Sequence, residues 1–282
     1  MDSNQSILIT GANGQLGQAL KQLNANNDSL VFTDQSSFDI TNSAQMEAVF
    51  KKCIPKVVIN TAAFTQVDAA ETNQEKAYLI NETGVKNLLE LCEKYNCKLI
   101  HISTDYVFDG ESTVPYKETD TTNPVTVYGK SKRAGELVIL KSELKAFAII
   151  RTSWLYSRFG NNFYKTMLRL AETHKELKVV NDQKGNPTNA EHLANALLKI
   201  ATLLTPENSG IYHFSNTGEA SWFDFAQAIF EKHAINIPVK AVTSQEFPTP
   251  AKRPAYSVLN QSKIEKVFNI SISSWKNALT DL

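Results

Sequence analysis

The stretch Ser6-Ile7-Leu8-Ile9-Thr10-Gly11-Ala12-Asn13-Gly14-Gln15-Leu16-Gly17 decides the fold, because a short apolar run leads directly into three glycines separated by two residues each. The run predicts a buried strand, and apolar residues at helical spacing from Leu16 to Leu23 predict a helix behind it. A glycine turn between strand and helix lets the backbone approach a pyrophosphate, and the helix N-terminus attracts the phosphates. Gly11, Gly14 and Gly17 therefore predict a binding site for a dinucleotide.

Strand and helix patterns alternate through the rest of the first half. Short apolar runs predict strands, and longer segments with apolar residues on one face predict helices. The further predicted strands are 29–34, 56–60, 98–103 and 146–150, and the further predicted helices are 42–52, 75–95 and the segment around Tyr128. This rhythm is typical of βαβ units. The sequence therefore predicts an α/β fold with a Rossmann-type, doubly wound parallel sheet whose carboxyl strand ends share one edge.

The second half of the chain has a looser pattern, with prolines between 238 and 254 that mark irregular loops. Its predicted helices are 162–172, 191–204 and 222–233. We predict a dinucleotide-binding domain over 1–152 and a smaller, mixed α/β C-terminal domain over 153–282 that binds the substrate. The chain is expected to return to the sheet near Val179 and Ile211.

Tyr128 and Lys132 are the main chemical signal of the chain. They lie four residues apart on a predicted helix, so both side chains project from one face. An ammonium group beside a phenol lowers the pKa of the phenol toward the working pH. Thr104 follows the strand predicted at 98–103, and its hydroxyl can polarise a carbonyl group at the same sheet edge. Thr104, Tyr128 and Lys132 therefore predict hydride-transfer chemistry at a carbonyl carbon, and Lys132 can also bind the nicotinamide ribose.

Asp34 ends the second predicted strand. A carboxylate at this place can accept a hydrogen bond from the adenosine ribose, and no arginine or lysine follows in 35–37 to hold a 2′-phosphate, so NADH is favoured. A turn-forming aspartate is the other interpretation. Asp39 and Ile40 in the next loop could contact adenine, or Asp39 could be a precap residue, just ahead of the cap of the helix that follows.

Composition and charge exclude several classes of protein. Lys plus Arg and Asp plus Glu both number 29, so the net charge is zero and neither a nucleic acid nor an anionic membrane is expected as a partner. Residues 1–5 are polar, no apolar run has the roughly 20 residues of a membrane span, and the three cysteines are expected to be free, buried thiols, which predicts a cytoplasmic protein. The histidines show no metal-ligand spacing, and His101, inside a predicted strand, is expected to be a core residue.

Several longer motifs resemble one family of enzymes. They include Tyr128-Gly129-Lys130-Ser131-Lys132, Ser103-Thr104-Asp105-Tyr106-Val107-Phe108-Asp109-Gly110 and Asn181-Asp182-Gln183-Lys184-Gly185-Asn186-Pro187-Thr188. With these motifs, nearly the whole chain is similar to the extended short-chain dehydrogenase/reductase family and, more narrowly, to its dTDP-4-dehydrorhamnose reductase branch. The resemblance implies reduction of the C4 keto group of a dTDP-linked deoxysugar with NADPH or NADH, and it allows a homodimer.

The resemblance also implies a role for each matching residue. Tyr128 would donate the proton, with Lys132 as its partner and Thr104 as the third member of the group. The residues implied for the cofactor are Gly11, Gly14, Gln15, Leu16, Gly17, Asp34, Asp39, Ile40, Ala62, Ala63, Phe64, Thr65, Tyr128 and Lys132. The residues implied for the sugar nucleotide are Val67, Thr104, Asp105, Tyr106, Tyr128, Trp154 and Arg253, with Arg253 at the diphosphate. Some members are credited with a carboxylate-bound metal, but Gln18 cannot be such a ligand, so no metal is predicted.

Related activities give the alternatives. Nucleotide-sugar dehydratases resemble this chain but carry glutamate where Tyr106 stands, so elimination is not expected. A reductase or epimerase for another nucleotide sugar remains open, although epimerases need a larger second domain. A non-catalytic regulatory subunit, similar to that of methionine adenosyltransferase, also remains open. Retention of Thr104, Tyr128 and Lys132 together favours an enzyme.

Overall fold

The computed structural model describes residues 6–24 and 28–282. Residues 1–5, on which the expectation of no leader segment rests, lie outside the described residues. A parallel sheet of six strands forms the centre of the described chain. Its strands are β1 (Ile7–Thr10), β2 (Leu30–Phe32), β3 (Val57–Asn60), β4 (Lys98–Thr104), β5 (Phe147–Thr152) and β10 (Gly210–His213). The remaining short strands are β6 (Leu155–Tyr156), β7 (Leu177–Val180), β8 (Lys184–Gly185), β9 (Thr188–Asn189), β11 (Ala220–Ser221) and β12 (Val239–Val242).

Helices cover both faces of this sheet. The helices on its faces are α1 (Gln15–Leu23), α2 (Ser43–Cys53), α5 (Gly84–Lys94), α6 (Val127–Leu140), α8 (Ala190–Leu203) and α10 (Ser262–Phe268). The other described α-helices are α3 (Val67–Thr72), α4 (Gln74–Tyr78), α7 (Phe163–Thr173), α9 (Trp222–Lys232) and α11 (Trp275–Thr280). Ile7 and Ile9 of β1 pack with α1, α8 and α10, whereas Leu8 packs with α2, α5 and α6. Because both faces are covered, every residue of β1 is apolar or buried, as expected for a parallel sheet.

The sheet has the strand order β2-β1-β3-β4-β5-β10, and all of its neighbouring strands run parallel. The direction of winding therefore reverses between β1 and β3, which opens a crevice at their carboxyl ends. The predicted doubly wound α/β fold is confirmed. The predicted return near Ile211 is also confirmed, since β10 pairs with β5.

Other details of the prediction need correction. The return to the sheet near Val179 is wrong, because β7 pairs with β12 in a separate two-stranded sheet. The single helix predicted over 75–95 is divided, with a π-helical turn at Leu79–Thr83 between α4 and α5. The sequence pattern also missed α3, β12, α10 and α11, which are short elements with few apolar positions to reveal a period.

A second apolar cluster lies in the C-terminal part of the chain, where α7, α9 and α11 pack around Tyr156, Phe225 and Trp275. Not all of 153–282 belongs to this cluster, because α8 and α10 pack on the main sheet and β10 joins it. The assignment of cofactor binding to 1–152 and substrate binding to 153–282 stays a prediction. The structure adds that α8, α10 and β10 of the second segment pack on or join the main sheet.

Candidate active site

Two adjoining clefts open at the carboxyl ends of the parallel strands. The glycine cleft, with a volume of about 330 Å³, is lined by Gly11 and Gly14. The tyrosine cleft, with a volume of about 420 Å³, is lined by Tyr128 and by residues that follow β4 and β5. Gly14, Thr61 and Ala63 are among the residues that line both clefts, so a single long ligand can occupy the two together.

The glycine cleft fits a dinucleotide. The predicted cofactor residues that line it are Gly11, Gly14, Asp34, Asp39, Ile40, Ala62 and Ala63. Behind it, α1 begins after Gly14, which has no side chain to cap the amides of the first turn, and that turn contains no acidic residue. The N-terminus of α1 can therefore offer its backbone N–H groups and its positive dipole end to a pyrophosphate.

Asp34 is a turn former that also lines the glycine cleft. Its Oδ1 accepts hydrogen bonds from the backbone N–H groups of Ser36 and Ser37 at 3.1 and 3.0 Å and from both hydroxyls, and its Oδ2 accepts one from Asn13 Nδ2 at 2.8 Å. These bonds, with Ser36 as the largest contributor, hold the pKa of Asp34 far below its usual range. The carboxylate is thus a fixed negative charge, and the two interpretations of Asp34 are compatible.

Asp39 does not cap α2 directly. Its Oδ1 accepts hydrogen bonds from the backbone N–H and the hydroxyl of Thr41 at 2.9 and 2.7 Å. Asn42 is the N-cap, since its side chain accepts from the backbone N–H of Gln45. Asp39 instead shapes the loop that lines the glycine cleft, and Ile40 lines the cleft beside it.

The tyrosine cleft brings together most of the other predicted site residues. They are Gly14, Gln15, Leu16, Ala63, Thr65, Val67, Thr104, Asp105, Tyr106, Tyr128, Lys132 and Trp154. The close packing of α6 against the turn after β4 makes this possible. A Cβ at Gly129 would stand 2.1 Å from the Tyr106 carbonyl oxygen, so the approach requires glycine. Thr126 fixes the start of the helix by accepting a hydrogen bond from the Gly129 N–H at 3.0 Å.

Tyr128 is nearly buried, and its pKa differs from the sequence-based expectation. Burial raises the pKa of the phenol well above its usual value, and a hydrogen bond with Thr104 only partly opposes the shift. The predicted lowering of this pKa by Lys132 is therefore wrong. The physical reason is that removal from water disfavours the phenolate, and Asp105 and Tyr106 add to this effect.

Lys132 is buried at the inner end of the tyrosine cleft, with 2% of its surface exposed. Its Nζ donates to the carbonyl oxygen of Ile102 at 2.6 Å and lies 3.4 Å from Nε2 of His101. Burial lowers the pKa of Lys132 to about 8, and the charge of Glu136 opposes this shift. Lys132 can therefore gain and lose a proton near neutral pH. His101 is fully buried in β4, as the core interpretation predicted.

A buried ion cluster anchors α6 to the sheet. Glu136 accepts hydrogen bonds from Nε and Nη2 of Arg151, both at 2.8 Å, from Nη1 of Arg133 at 2.8 Å and from the Ser103 hydroxyl at 2.6 Å. Burial would raise the pKa of Glu136, but the bonds from Arg151 hold it below the ordinary value. Glu136 and Arg151 have almost no exposed surface, so the cluster fixes the position of the helix that carries Tyr128.

Asp105 is a buried carboxylate in the wall of the tyrosine cleft. Its Oδ1 accepts a hydrogen bond from the Thr104 hydroxyl at 2.9 Å, whereas its Oδ2 makes none with any described residue. Burial raises the pKa of Asp105 to about 6, and the nearby hydroxyls of Ser257 and Thr104 oppose the shift. One carboxylate oxygen is thus buried without a hydrogen-bond partner among the described residues.

An aromatic stack forms another wall of the tyrosine cleft. Trp154 stacks on Trp222 with ring centroids 3.5 Å apart and an interplanar angle of 6°. A Cβ at Gly185 would stand 2.5 Å from the Trp154 ring. Trp154 has a φ of 46°, an uncommon backbone conformation for a bulky residue. Packing from both sides holds this conformation and orients the indole ring at the cleft.

Arg253 lies beside the tyrosine cleft, where it bonds to Asp68 and Tyr106. Its Nη2 donates to Oδ2 of Asp68 at 2.6 Å, and its Nη1 donates to the Tyr106 hydroxyl at 3.2 Å. Asp68 also accepts from the backbone N–H of Ala251 at 3.1 Å. Arg253 therefore fastens the C-terminal loop to α3 and to a residue that lines the cleft. Its proposed contact with a diphosphate stays a prediction.

Two predicted cofactor residues line neither cleft in the described chain. A Cβ at Gly17 would lie 2.5 Å from Cα of Ala12, so this glycine is required by helix packing. Phe64 is held by its backbone, which exchanges hydrogen bonds with the Asn81 side chain at 2.9 and 3.1 Å. Sequence reasoning missed Asn81, which lies inside a predicted helix without any motif, and Lys76, which lines the glycine cleft.

Three further properties of the described residues concern metal sites, membrane-spanning helices and cysteines. Within residues 6–24 and 28–282, no group of three or more His, Cys, Asp or Glu side chains is placed to hold a metal ion. No helix in the same residues is long and apolar enough to cross a membrane. The three cysteines are free, as predicted, with Cys92 and Cys97 buried and Cys53 partly exposed.

The fold and the site together define a class. A doubly wound parallel sheet with a glycine-rich turn after its first strand, and with Thr104, Tyr128 and Lys132 at the same sheet edge, is the arrangement of a short-chain dehydrogenase/reductase. The model of a more specific family, described as the RmlD substrate binding domain, matches residues 5–282. The chain belongs to this family.

The individual relatives of the chain include several proteins named dTDP-4-dehydrorhamnose reductase. The chain is 44% identical over 287 residues to the dTDP-4-dehydrorhamnose reductase of Aggregatibacter actinomycetemcomitans, covering 98% of this chain and 97% of that protein. The crystal structure of a dTDP-4-dehydrorhamnose reductase from Clostridium acetobutylicum has a TM-score of 0.93 and 43% identity, with 98% of each chain covered. A dTDP-4-dehydrorhamnose reductase from Bacillus anthracis, solved with NADP, has a TM-score of 0.93 and 39% identity, again over 98% of each chain.

Proposed function

We propose that this protein reduces the C4 keto group of dTDP-4-dehydro-L-rhamnose to give dTDP-L-rhamnose, with hydride from NADPH or NADH. The observation that carries the proposal is the group of Thr104, Tyr128 and Lys132 in the tyrosine cleft, beside a glycine cleft that fits a dinucleotide. The names of the relatives support the choice of substrate. The NADP in one related structure supports the choice of cofactor class.

Tyr128 and Lys132 would hold and transfer the proton of the reaction. Bound NADPH or NADH supplies the hydride. Tyr128 donates its proton to the ketone oxygen, and its raised pKa keeps that proton on the phenol until negative charge develops on the oxygen. Thr104 donates a second hydrogen bond to this oxygen, which requires its hydroxyl to turn from Asp105. Lys132, with a pKa of about 8, then returns a proton toward the phenolate.

Other residues of the tyrosine cleft would hold the sugar nucleotide. Asp105 and Trp154 line the cleft and would contact the sugar from its wall. Because Oδ2 of Asp105 is buried, the wall must shift before a sugar hydroxyl can donate to it. Val67 and Tyr106 line the same cleft. Arg253, which contacts Tyr106, is the proposed partner of the diphosphate.

We also propose that the protein does not dehydrate dTDP-glucose. Burial raises the pKa of Tyr106 to about 12, so its phenol stays protonated at neutral pH and cannot remove a carbon-bound proton. Formation of a 4-keto-6-deoxy sugar from dTDP-glucose would contradict this part of the proposal.

An oxidation assay tests the substrate and the cofactor. The oxidation of NADH and of NADPH is followed separately with dTDP-4-dehydro-L-rhamnose and with its UDP and GDP counterparts. Turnover is expected with the dTDP sugar. Turnover only with another nucleotide sugar would favour a related reductase, and turnover with none would favour a non-catalytic binding subunit.

A matched pair of variants tests the proton donor. Tyr128→Phe should retain cofactor binding but lose turnover by roughly 100-fold or more, the usual effect of removing a general acid. Tyr156→Phe is the control, because Tyr156 is also buried but its hydroxyl has no partner among the residues that the structure describes. Unchanged turnover of Tyr128→Phe would remove this phenol from the mechanism.

The homodimer and the cytoplasmic location stay predictions from the sequence. Light scattering on the purified protein tests the first, and fractionation of the source cells tests the second. A monomer with full turnover would show that the proposed chemistry needs no partner chain.

A further inference from the structure

A chain of buried hydrogen bonds runs from β1 to the lysine of the proposed active site. The Thr10 hydroxyl donates to Oδ1 of Asn60 at 2.6 Å, and Nδ2 of Asn60 lies 3.0 Å from Nδ1 of His101. On the other side of the imidazole ring, Nε2 of His101 lies 3.4 Å from Nζ of Lys132. Thr10, Asn60, His101 and Lys132 are all buried, with at most 2% of their surface exposed. The mechanism described above makes no use of this imidazole.

The neighbours of Asn60 determine which ring nitrogen of His101 carries the proton. The backbone N–H of Ala62 donates to Oδ1 of Asn60 at 3.2 Å, and a backbone N–H can only donate. Nδ2 of Asn60 is therefore the atom that faces His101, and Nδ1 of the ring must accept from it. Burial, together with the charge of Lys132, lowers the pKa of His101 well below its ordinary value, so the ring is neutral. A neutral ring that accepts at Nδ1 carries its proton on Nε2, facing Lys132.

We propose that His101 is a positioning residue for Lys132, one that donates from Nε2 toward the lysine nitrogen and thereby favours the neutral amine over the ammonium. An ammonium group has only donors, so it opposes the Nε2 proton, whereas the amine has a lone pair that accepts it. The carbonyl oxygen of Ile102 takes one N–H of the lysine in either state. This inference rests on the proposed function, because it assigns the lysine a proton that must leave and return in each turnover.

Other groups around Lys132 act on its charge as well. Glu136, one helical turn further along α6, favours the ammonium. Its effect is reduced because it is already bound by Arg151 of β5, by Arg133 of α6 and by Ser103 of β4. The remaining titratable groups that line the tyrosine cleft near it are Tyr128 of α6 and Asp105 and Tyr106 after β4. Unlike these groups, His101 is a neutral donor in contact with the lysine nitrogen. Its proton can therefore move from one ring nitrogen to the other without a change in the net charge of the imidazole.

Asn60→Asp is the most direct test, since it changes one atom. A carboxylate at this position accepts from the ring, so the proton of His101 moves to Nδ1, and Nε2 then accepts from Lys132. The ammonium becomes favoured, and the alkaline limb of the pH profile of kcat/KM should move up by about one pH unit. At pH 9 the variant should retain a share of its pH 7 rate roughly five times larger than the wild type does.

Substitutions of His101 provide a second, independent test. His101→Asn keeps an acceptor for Asn60 but loses the donor toward Lys132, so its alkaline limb should move up as well. His101→Gln keeps a donor at the distance of Nε2, so its alkaline limb should stay in place. The control is His213→Asn, which replaces another fully buried histidine, one in β10, and should leave the limb unchanged.

NMR spectra of protein labelled with ¹⁵N-histidine and ¹³C-lysine, recorded without substrate, give a readout that does not depend on turnover. The wild type should show His101 protonated on Nε2, Asn60→Asp should show it protonated on Nδ1, and the Lys132 titration should shift upward in that variant. A wild-type His101 protonated on Nδ1, or a moved proton with no change in the Lys132 titration, would overturn the inference. A wild type that fails to reduce the sugar but shows the expected NMR shifts would refute only the proposed function.

Discussion

Asp105→Asn should stabilise the folded protein at neutral pH, because the native carboxylate is buried without a full set of partners. Burial raises the pKa of Asp105 from 3.8 to about 6. Since each pKa unit corresponds to about 1.4 kcal/mol, the ionised side chain destabilises the fold by about 3 kcal/mol at pH 8. An asparagine keeps the acceptor for the Thr104 hydroxyl and places an uncharged group where Oδ2 has no described partner.

The pH dependence identifies the cause of this stabilisation. The raised pKa means that the penalty is absent only well below pH 3.8, where Asp105 is protonated in both states, grows between pH 3.8 and about 6, and approaches its full size above about 6. The gain from Asp105→Asn should therefore fall from about 3 kcal/mol at pH 8 to about half of that at pH 5. Urea unfolding of both proteins at the two pH values measures this difference.

Asp182→Asn provides a control of opposite sign. Asp182 accepts hydrogen bonds from the backbone N–H and the hydroxyl of Ser244, and although its partial burial acts in the opposite direction, these bonds lower its pKa. Its substitution should therefore destabilise the protein. An Asp105→Asn protein that is no more stable than the wild type at pH 8, or that gains the same amount at pH 5, would refute the reasoning from burial.

Three further perturbations have outcomes that the structure predicts. Glu136→Ala should lower the free energy of unfolding by about 3–5 kcal/mol in urea titrations, because it leaves Arg151 buried without its counter-ion. Lys132→Met should raise that free energy by about 3 kcal/mol at pH 7, since burial lowers the pKa of Lys132 from 10.5 to about 8, and the gain should vanish as the pH rises from 8 to above 10.5. Asp34→Ala should raise the ratio of kcat/KM for NADPH to that for NADH by roughly tenfold, because a fixed negative charge in the glycine cleft is removed; an unchanged ratio would place the 2′-phosphate elsewhere.

The sheet and much of the site could be predicted from the sequence, because the pattern of apolar residues and the chemistry of the side chains point to the same structure. Continuous apolar strands and a glycine turn can form few structures other than a parallel sheet with a dinucleotide site, and Tyr128 and Lys132 share a face on any helix. The tyrosine cleft contains these two residues, as well as Thr104 and Trp154. Their roles in chemistry and binding stay predictions until variants are measured.

The contacts that could not be predicted from the sequence are long-range ones. Asn60, His101 and Asn81 are ordinary polar residues in sequence, and only folding places each beside a partner 17 to 50 residues away. The direction of the Tyr128 pKa shift was wrong for a related reason. Helical spacing places Lys132 near the phenol, but spacing contains no information about how completely water is removed from both groups.

The two clefts differ in how their charged groups are controlled, and the difference suits two tasks. In the glycine cleft, hydrogen bonds lower the pKa of Asp34 and keep it ionised, which suits its proposed recognition of a ribose hydroxyl. In the tyrosine cleft, burial is the largest influence on Asp105, Tyr128 and Lys132, and each is shifted toward its neutral form. Because burial disfavours their charged forms, these groups change protonation readily when a nearby charge appears, which proton transfer to a developing oxyanion requires. The stability lost by burying Asp105 and Lys132 is therefore what the proposed transfer of a proton at this site would require.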